Sequence, residues 1–191
     1  MTNFTIDSTE VNASLSIAKY LFDNLKDIYS SKRPIIFLCI GSDKSTGDCL
    51  GPLIGYKLNN INVANIYIYG SLLNPVHSKN LEYTLKEIYS TYSDPYIIAI
   101  DACLGHLKNI GKIFINEKPL SPGLALKKSL PQVGDMSITG IVNISGNFEF
   151  LTLQNTRLFT VMQLADSISL GICDFILRCT THLSNAQSSR R

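Results

Sequence analysis

Three short apolar runs, separated by segments of helical periodicity, constrain the fold of this chain most. Pro34 opens Ile35-Ile36-Phe37-Leu38-Cys39-Ile40, and Gly41 closes it. Ala64-Asn65-Ile66-Tyr67-Ile68-Tyr69-Gly70 alternates, and Pro95 introduces Tyr96-Ile97-Ile98-Ala99-Ile100-Asp101. Runs this short, rich in β-branched residues and bounded by proline, glycine or an acid, read as strands, the first and third buried on both faces. Between them lie Leu50 to Asn59, whose Pro52 suits a first helical turn, and Val76 to Thr91, with Leu81, Leu85, Ile88 and Tyr92 on one face. Strand alternating with helix builds a mainly parallel sheet with helices on both faces.

The flanks fit the same plan. Val11, Leu15, Ala18, Phe22, Leu25 and Tyr29 mark a helix from Ser8 to Ser30, with Ser8 and Thr9 as caps. Lys112 to Asn116 and Ser137 to Ile144 extend the sheet across a loop rich in proline and glycine. A long helix from Gln154 to Cys179 packs last, through Leu158, Val161, Leu164, Ala165, Ile168 and Ile172. Residues 1–183 form a single α/β domain, and Ser184 to Arg191 read as a disordered tail.

Composition narrows the function classes. Of 191 residues, 45% are hydrophobic and 17% charged, enough for one substantial core. A formal charge of +2 is too balanced for a surface built on phosphate contacts, so nucleic acid is not an expected partner. No apolar run reaches the roughly 18 residues that span a bilayer. The polar, acidic stretch Met1 to Glu10 is unlike a signal peptide, so no membrane and a cytoplasmic location are expected. The five cysteines include no CxxC pair, which points to reduced thiols rather than structural zinc.

In an open parallel sheet, ligands bind beyond the carboxyl ends of the strands. Two segments stand there: Gly41-Ser42-Asp43-Lys44-Ser45-Thr46-Gly47-Asp48-Cys49-Leu50-Gly51-Pro52, and Ile100-Asp101-Ala102-Cys103-Leu104-Gly105. The first misses the phosphate-loop spacing and sets Asp48 where that loop needs lysine, and the dinucleotide glycine pattern is absent. It offers instead a carboxylate facing a second one, Asp101. Two such groups in one crevice share a proton and serve as acid and base together. The plainer alternatives are that Asp48 caps the following helix and that Asp101 is bound by something at its strand end.

His77 stands at a helix start, where it reaches the crevice or caps and packs. His106 offers a possible third ligand beside both aspartates. His182 lies in the tail, away from any site. Cys49 and Cys103 neighbour the two acids, and at least one should face the core. A cysteine nucleophile there needs His77 or His106 as base. Asp135 and Asn143 are further candidates for the crevice, while Phe37, Tyr67 and Tyr69 read as core or sheet surface.

Thr46-Gly47-Asp48-Cys49-Leu50-Gly51-Pro52 and Ala99-Ile100-Asp101-Ala102 resemble the stretches around the two essential aspartates of the germination protease of spore-forming bacteria, with a faint echo at Ser121-Pro122-Gly123. Together with Leu130-Pro131-Gln132-Val133-Gly134-Asp135, Ile138-Thr139-Gly140-Ile141-Val142-Asn143 and Leu153-Gln154-Asn155-Thr156-Arg157-Leu158, their order resembles the YyaC family of sporulation proteins across residues 30–170. The resemblance implies a three-layer α/β/α sandwich of the kind found in hydrogenase maturation peptidases. It places Asp48 and Asp101 in catalytic positions. In those peptidases the matching acids and a later histidine hold the nickel of the substrate. The corresponding segment here, Leu130 to Asp135, has no histidine, so the resemblance implies an aspartate mechanism without metal or cofactor.

The expectation is therefore a cytoplasmic, forespore or spore-core peptidase acting on a protein or peptide, small acid-soluble spore proteins among them. Gly47, Thr139, Gly140 and His77 are the expected substrate contacts, although the glycine turns equally serve to bend the chain. A silent peptide- or partner-binding protein and a metal-dependent peptidase are the alternatives. Oligomeric state is not legible.

Overall fold

The computed structural model describes residues 3–122 and 132–188. Within them one six-stranded sheet runs in the order β1-β5-β6-β4-β2-β3. Its strands are β1 (Asn3–Asp7), β2 (Ile35–Cys39), β3 (Ile66–Tyr69), β4 (Tyr96–Gly105), β5 (Lys112–Asn116) and β6 (Met136–Ile144). β3, β2, β4 and β6 run parallel to one another, while β5 pairs antiparallel with β6 and β1 antiparallel with β5. The helices are α1 (Ala13–Ser30), α2 (Leu50–Lys57), α3 (Leu81–Thr91), α4 (Glu149–Gln154) and α5 (Leu158–Ser188).

Alternation along the strands splits the core in two. Phe37, Cys39, Ile98 and Ile100 point into a large cluster under α1, α2 and α5. Ile36, Leu38, Ile97 and Ala99 point the other way, into a smaller cluster with Leu81 and Ile88 of α3. The mainly parallel α/β architecture with helices on both faces is thus what the apolar runs predict.

Several boundaries differ from the sequence reading, each for a local reason. Asn3–Asp7 forms an edge strand where no element was expected, with half-buried Phe4 and Ile6 packing inward between polar neighbours. α1 begins at Ala13 rather than Ser8, because Ser8 is buried with its N–H bonded to the Gly111 carbonyl. Val11 and Leu15 are consequently exposed, and Ile17, Ala18, Leu21 and Leu25 form the buried stripe. α3 starts at Leu81, since Val76 instead bridges to Ile40 beyond the end of β2.

The expected helix from Gln154 is two helices. Thr156 Oγ1 donates back to the Thr152 carbonyl and Asn155 Nδ2 to that of Leu151, which ends α4 before α5 begins. Leu158 is exposed, whereas Val161, Leu164, Ala165, Ile168 and Ile172 are fully buried as expected. α5 continues to Ser188, past the expected end at Cys179 and into the stretch read as disordered. Phe22 meets the His182 ring edge-on at 5.7 Å and Leu183 packs on the core, so the later turns have something to hold them. Leu158–Ser184 also has the length and mean hydropathy, 1.4, to cross a bilayer, against the expectation that no stretch does. It is half buried against the rest of the chain, as a core helix is.

Candidate functional site

Gly41 sets the geometry of the site. Its φ of 141° is one that side chains rarely adopt, and a Cβ there would stand 2.1 Å from the Asp48 carbonyl oxygen. The loop after β2 therefore folds back on itself, and the Ser42 N–H donates to the Asp48 carbonyl at 3.1 Å. The Gly41 N–H donates to the Val76 carbonyl at 2.8 Å, which draws the His77 segment alongside. Asn80 then fixes that segment: its Oδ1 accepts from the His77 N–H at 2.8 Å, and its Nδ2 donates to the Pro75 carbonyl at 3.0 Å.

Asp101 arrives from the middle of β4, not from its end. β4 stays paired with β6 as far as Gly105, while β2 stops opposite Ile100. Asp101 shares the face of Ile97 and Ala99 and projects beyond the last paired residue of β2. Asp48, His77 and Asp101 thereby line one cleft of about 360 Å³, with Ser42, Ser45 and Phe150 in the same wall.

The electrostatics follow from burial. Asp101 is 8% exposed, accepts a hydrogen bond from the Ala102 N–H at 2.8 Å, and has no salt bridge among the described residues. Burial raises its carboxyl well above the usual range, the charge of Asp48 raises it further, and the Ala102 amide offsets this only in part. Burial also raises Asp48, against the Ser42 amide and His77, which lower it. Ser45 Oγ and His77 Nδ1 are buried without a hydrogen-bond partner among the described residues, and both residues line the cleft.

Asp48 is not the helix cap: that position falls to Cys49, and α2 has no side-chain cap bond. Gly47 and Gly140 do not line the cleft. The Gly47 N–H donates to the Leu153 carbonyl at 2.8 Å, and a Cβ on Gly47 would meet Leu153 and Thr156 at 2.8 Å. A Cβ on Gly140 would press on Leu50 at 2.6 Å, beneath α2. Thr139 is half-buried and stands beside Asp101 in the ladder, outside the cleft wall.

Asp135 sits at the opposite end of the sheet, its Oδ2 accepting from the Ile97 N–H. Asn143 ties β6 to α4 through the Thr152 carbonyl and Thr156 Oγ1. His106 is exposed beyond β4, and no three His, Cys, Asp or Glu side chains converge as metal ligands among the described residues. Cys49 lies in the core cluster and donates to the Thr46 carbonyl at 2.9 Å, while Cys103 reaches the surface. Burial raises both thiols, with Asp48 acting on Cys49 and Asp101 on Cys103, which opposes a thiolate nucleophile. Gly123, Leu130 and Pro131 of the quoted motifs lie outside the described residues.

Sequence reasoning missed Phe150 and Gln154 as wall residues. Gln154 stood in a quoted motif, but nothing in the residues alone places a helix from beyond β6 against loops from β2 and β4.

Comparison with known proteins bears on the fold and on the family. A crystal structure of a NiFe hydrogenase maturation protease, HycI from Thermococcus kodakarensis, superposes with a TM-score of 0.53 at 16% identity, covering 81% of this chain and 99% of that one. That likeness is one of fold. The protein described as "Uncharacterized protein YyaC" of Bacillus subtilis is 41% identical over 167 residues, 87% of this chain and 80% of its own length. Residues 5–171 match the family described as "Protein of unknown function (DUF1256)". The chain belongs to that family, the one that includes YyaC.

Proposed function

We propose that this chain is a peptidase of sporulation that hydrolyses a protein or peptide through Asp48 and Asp101. One observation carries the reading: an acid from the loop after β2 and an acid from β4 line one cleft, and the deeper of them is buried with no salt bridge among the described residues, although Lys44 and Lys79 line the same cleft. A carboxyl so placed keeps its proton into the range where its neighbour has lost one. Asp48, beside the Ser42 amide and His77, is the acid that ionises first.

In this mechanism Asp48 takes a proton from water, whose oxygen attacks the scissile carbonyl carbon. Protonated Asp101 donates a hydrogen bond to the carbonyl oxygen as negative charge grows there. The C–N bond then breaks, and the proton held by Asp48 passes to the departing amine. His77 lines the same wall and is a contact for the peptide. The resemblance to the YyaC sporulation proteins and the maturation-protease fold support the spore setting and the peptidase class.

The test is to incubate the protein with small acid-soluble spore proteins and read fragments by mass spectrometry. Wild type is expected to cleave, and Asp48→Asn and Asp101→Asn each to lower kcat by about 100-fold or more. Binding without cleavage would replace this reading with a peptide-holding protein. Activity lost to a chelator and restored by a divalent ion would replace it with a metal-dependent peptidase.

A further inference from the structure

Large apolar side chains crowd α4 and the first turn of α5. Phe148 is 72% exposed, Phe150 56%, Leu151 52%, Leu158 56% and Phe159 64%. At 150–250 Å² for a large side chain, five of them a little over half exposed put roughly 600 Å² of apolar surface on one corner. Other exposed apolar residues lie away from this stretch, such as Val11 before α1, Leu73 after β3 and Leu177 about five turns further along α5. Five such residues between positions 148 and 159 of a chain this small are the kind of exposed apolar surface that often serves binding.

The patch runs into the cleft. Phe150 belongs to both, and Gln154, one turn further along α4, lines the same wall as Asp48 and Asp101. A chain lying in the cleft meets Phe150, the residue that the cleft shares with the corner. The area also discriminates between occupants. A stable dimer buries about 800 Å² on each partner, more than the corner offers, whereas a peptide held transiently needs less.

We infer that the α4–α5 corner docks an apolar stretch of the polypeptide whose scissile bond lies between Asp48 and Asp101. The substrate class is thus an extended peptide with large apolar residues to one side of the cut. This deepens the peptidase reading and rests on it for the position of the bond.

The probe is a phage-displayed library of random dodecapeptides selected on immobilised Asp101→Asn protein, which retains the corner. Enriched peptides are expected to carry two or more large apolar residues grouped on one side. Adding Phe148→Ser and Phe159→Ser together should weaken their binding about tenfold. Val11→Ser with Leu177→Ser, equally exposed and elsewhere, should leave it unchanged. Failure to enrich peptides, or equal binding to the corner variant, overturns the inference. So does a dimer in sedimentation that the corner variant dissolves, since a second copy would then be the occupant. Peptides that bind through the corner but stay intact with wild-type protein sustain the docking surface and overturn the peptidase reading alone.

Discussion

Asp101 carries an electrostatic strain that the rest of the molecule has to absorb, and its sign follows from burial. In the unfolded chain the carboxyl titrates near its ordinary value of 3.8; in the fold that value is raised well above it. Stability from the protonated acid is full below about pH 3.8 and is lost as pH rises through the raised value. Asp101→Asn, which keeps the shape and removes the charge, should therefore melt higher than wild type at pH 8. A gain of roughly 2–4 °C corresponds to about 1 kcal/mol in a chain of this size. The gap should close near pH 3.5. Melting curves that differ equally at both pH values would show that Asp101 is not the titrating group. A charge retained at a destabilising position is a common signature of an active site.

The helices differ in how firmly they are held, and this separates the structural from the exposed side of the protein. α5 lies in the larger cluster, with Val161, Leu164, Ala165, Ile168, Ile172 and Phe175 fully buried. The Phe175 ring meets Phe37 of β2 at 6.2 Å in an edge-on contact. Phe175→Ala should cost about 3–5 kcal/mol, seen as a lower urea midpoint with an unchanged slope. A change below about 1 kcal/mol would mean that the contact is not made. β1 plays a different part. It covers the outer edge of β5 through five paired residues, Asn3 with Asn116 to Asp7 with Lys112. Removing residues 1–7 should leave β5 with an open edge and drive association, measurable as light scattering that rises with concentration. Unaltered scattering would show that the edge is protected by other means.

Across the whole molecule, what could be read in advance tracks the range of the forces involved. Ile35–Cys39 and Tyr96–Asp101 advertise themselves because burial on both faces demands an unbroken apolar run. From these runs, their intervening helices and the polar residues at their ends come the parallel sheet and the positions of Asp48 and Asp101. Asn3–Asp7 carries an alternating pattern too, but five residues at an edge are weak beside the polar composition around them. The break between α4 and α5 depends on Thr156 and Asn155 bonding backwards, which the apolar spacing of a long helix conceals. The motif glycines were legible as important but not in role: Gly41 shapes the loop, whereas Gly47 and Gly140 make room for α4 and α2. Phe150 could be found only after folding, because it reaches the cleft from an element that no local signal ties to β2 or β4.

The bond between the Gly47 N–H and the Leu153 carbonyl joins the loop of the outer acid to the penultimate residue of α4. The six-residue helix α4 thus carries exposed Phe150 and Leu151 in its first turn and is tied near its other end to the residue before Asp48. Under the proposed mechanism, weight laid on Phe150 or Leu151 would bear on the loop that holds Asp48, so that gripping a chain and aligning the water-activating group would become a single mechanical act.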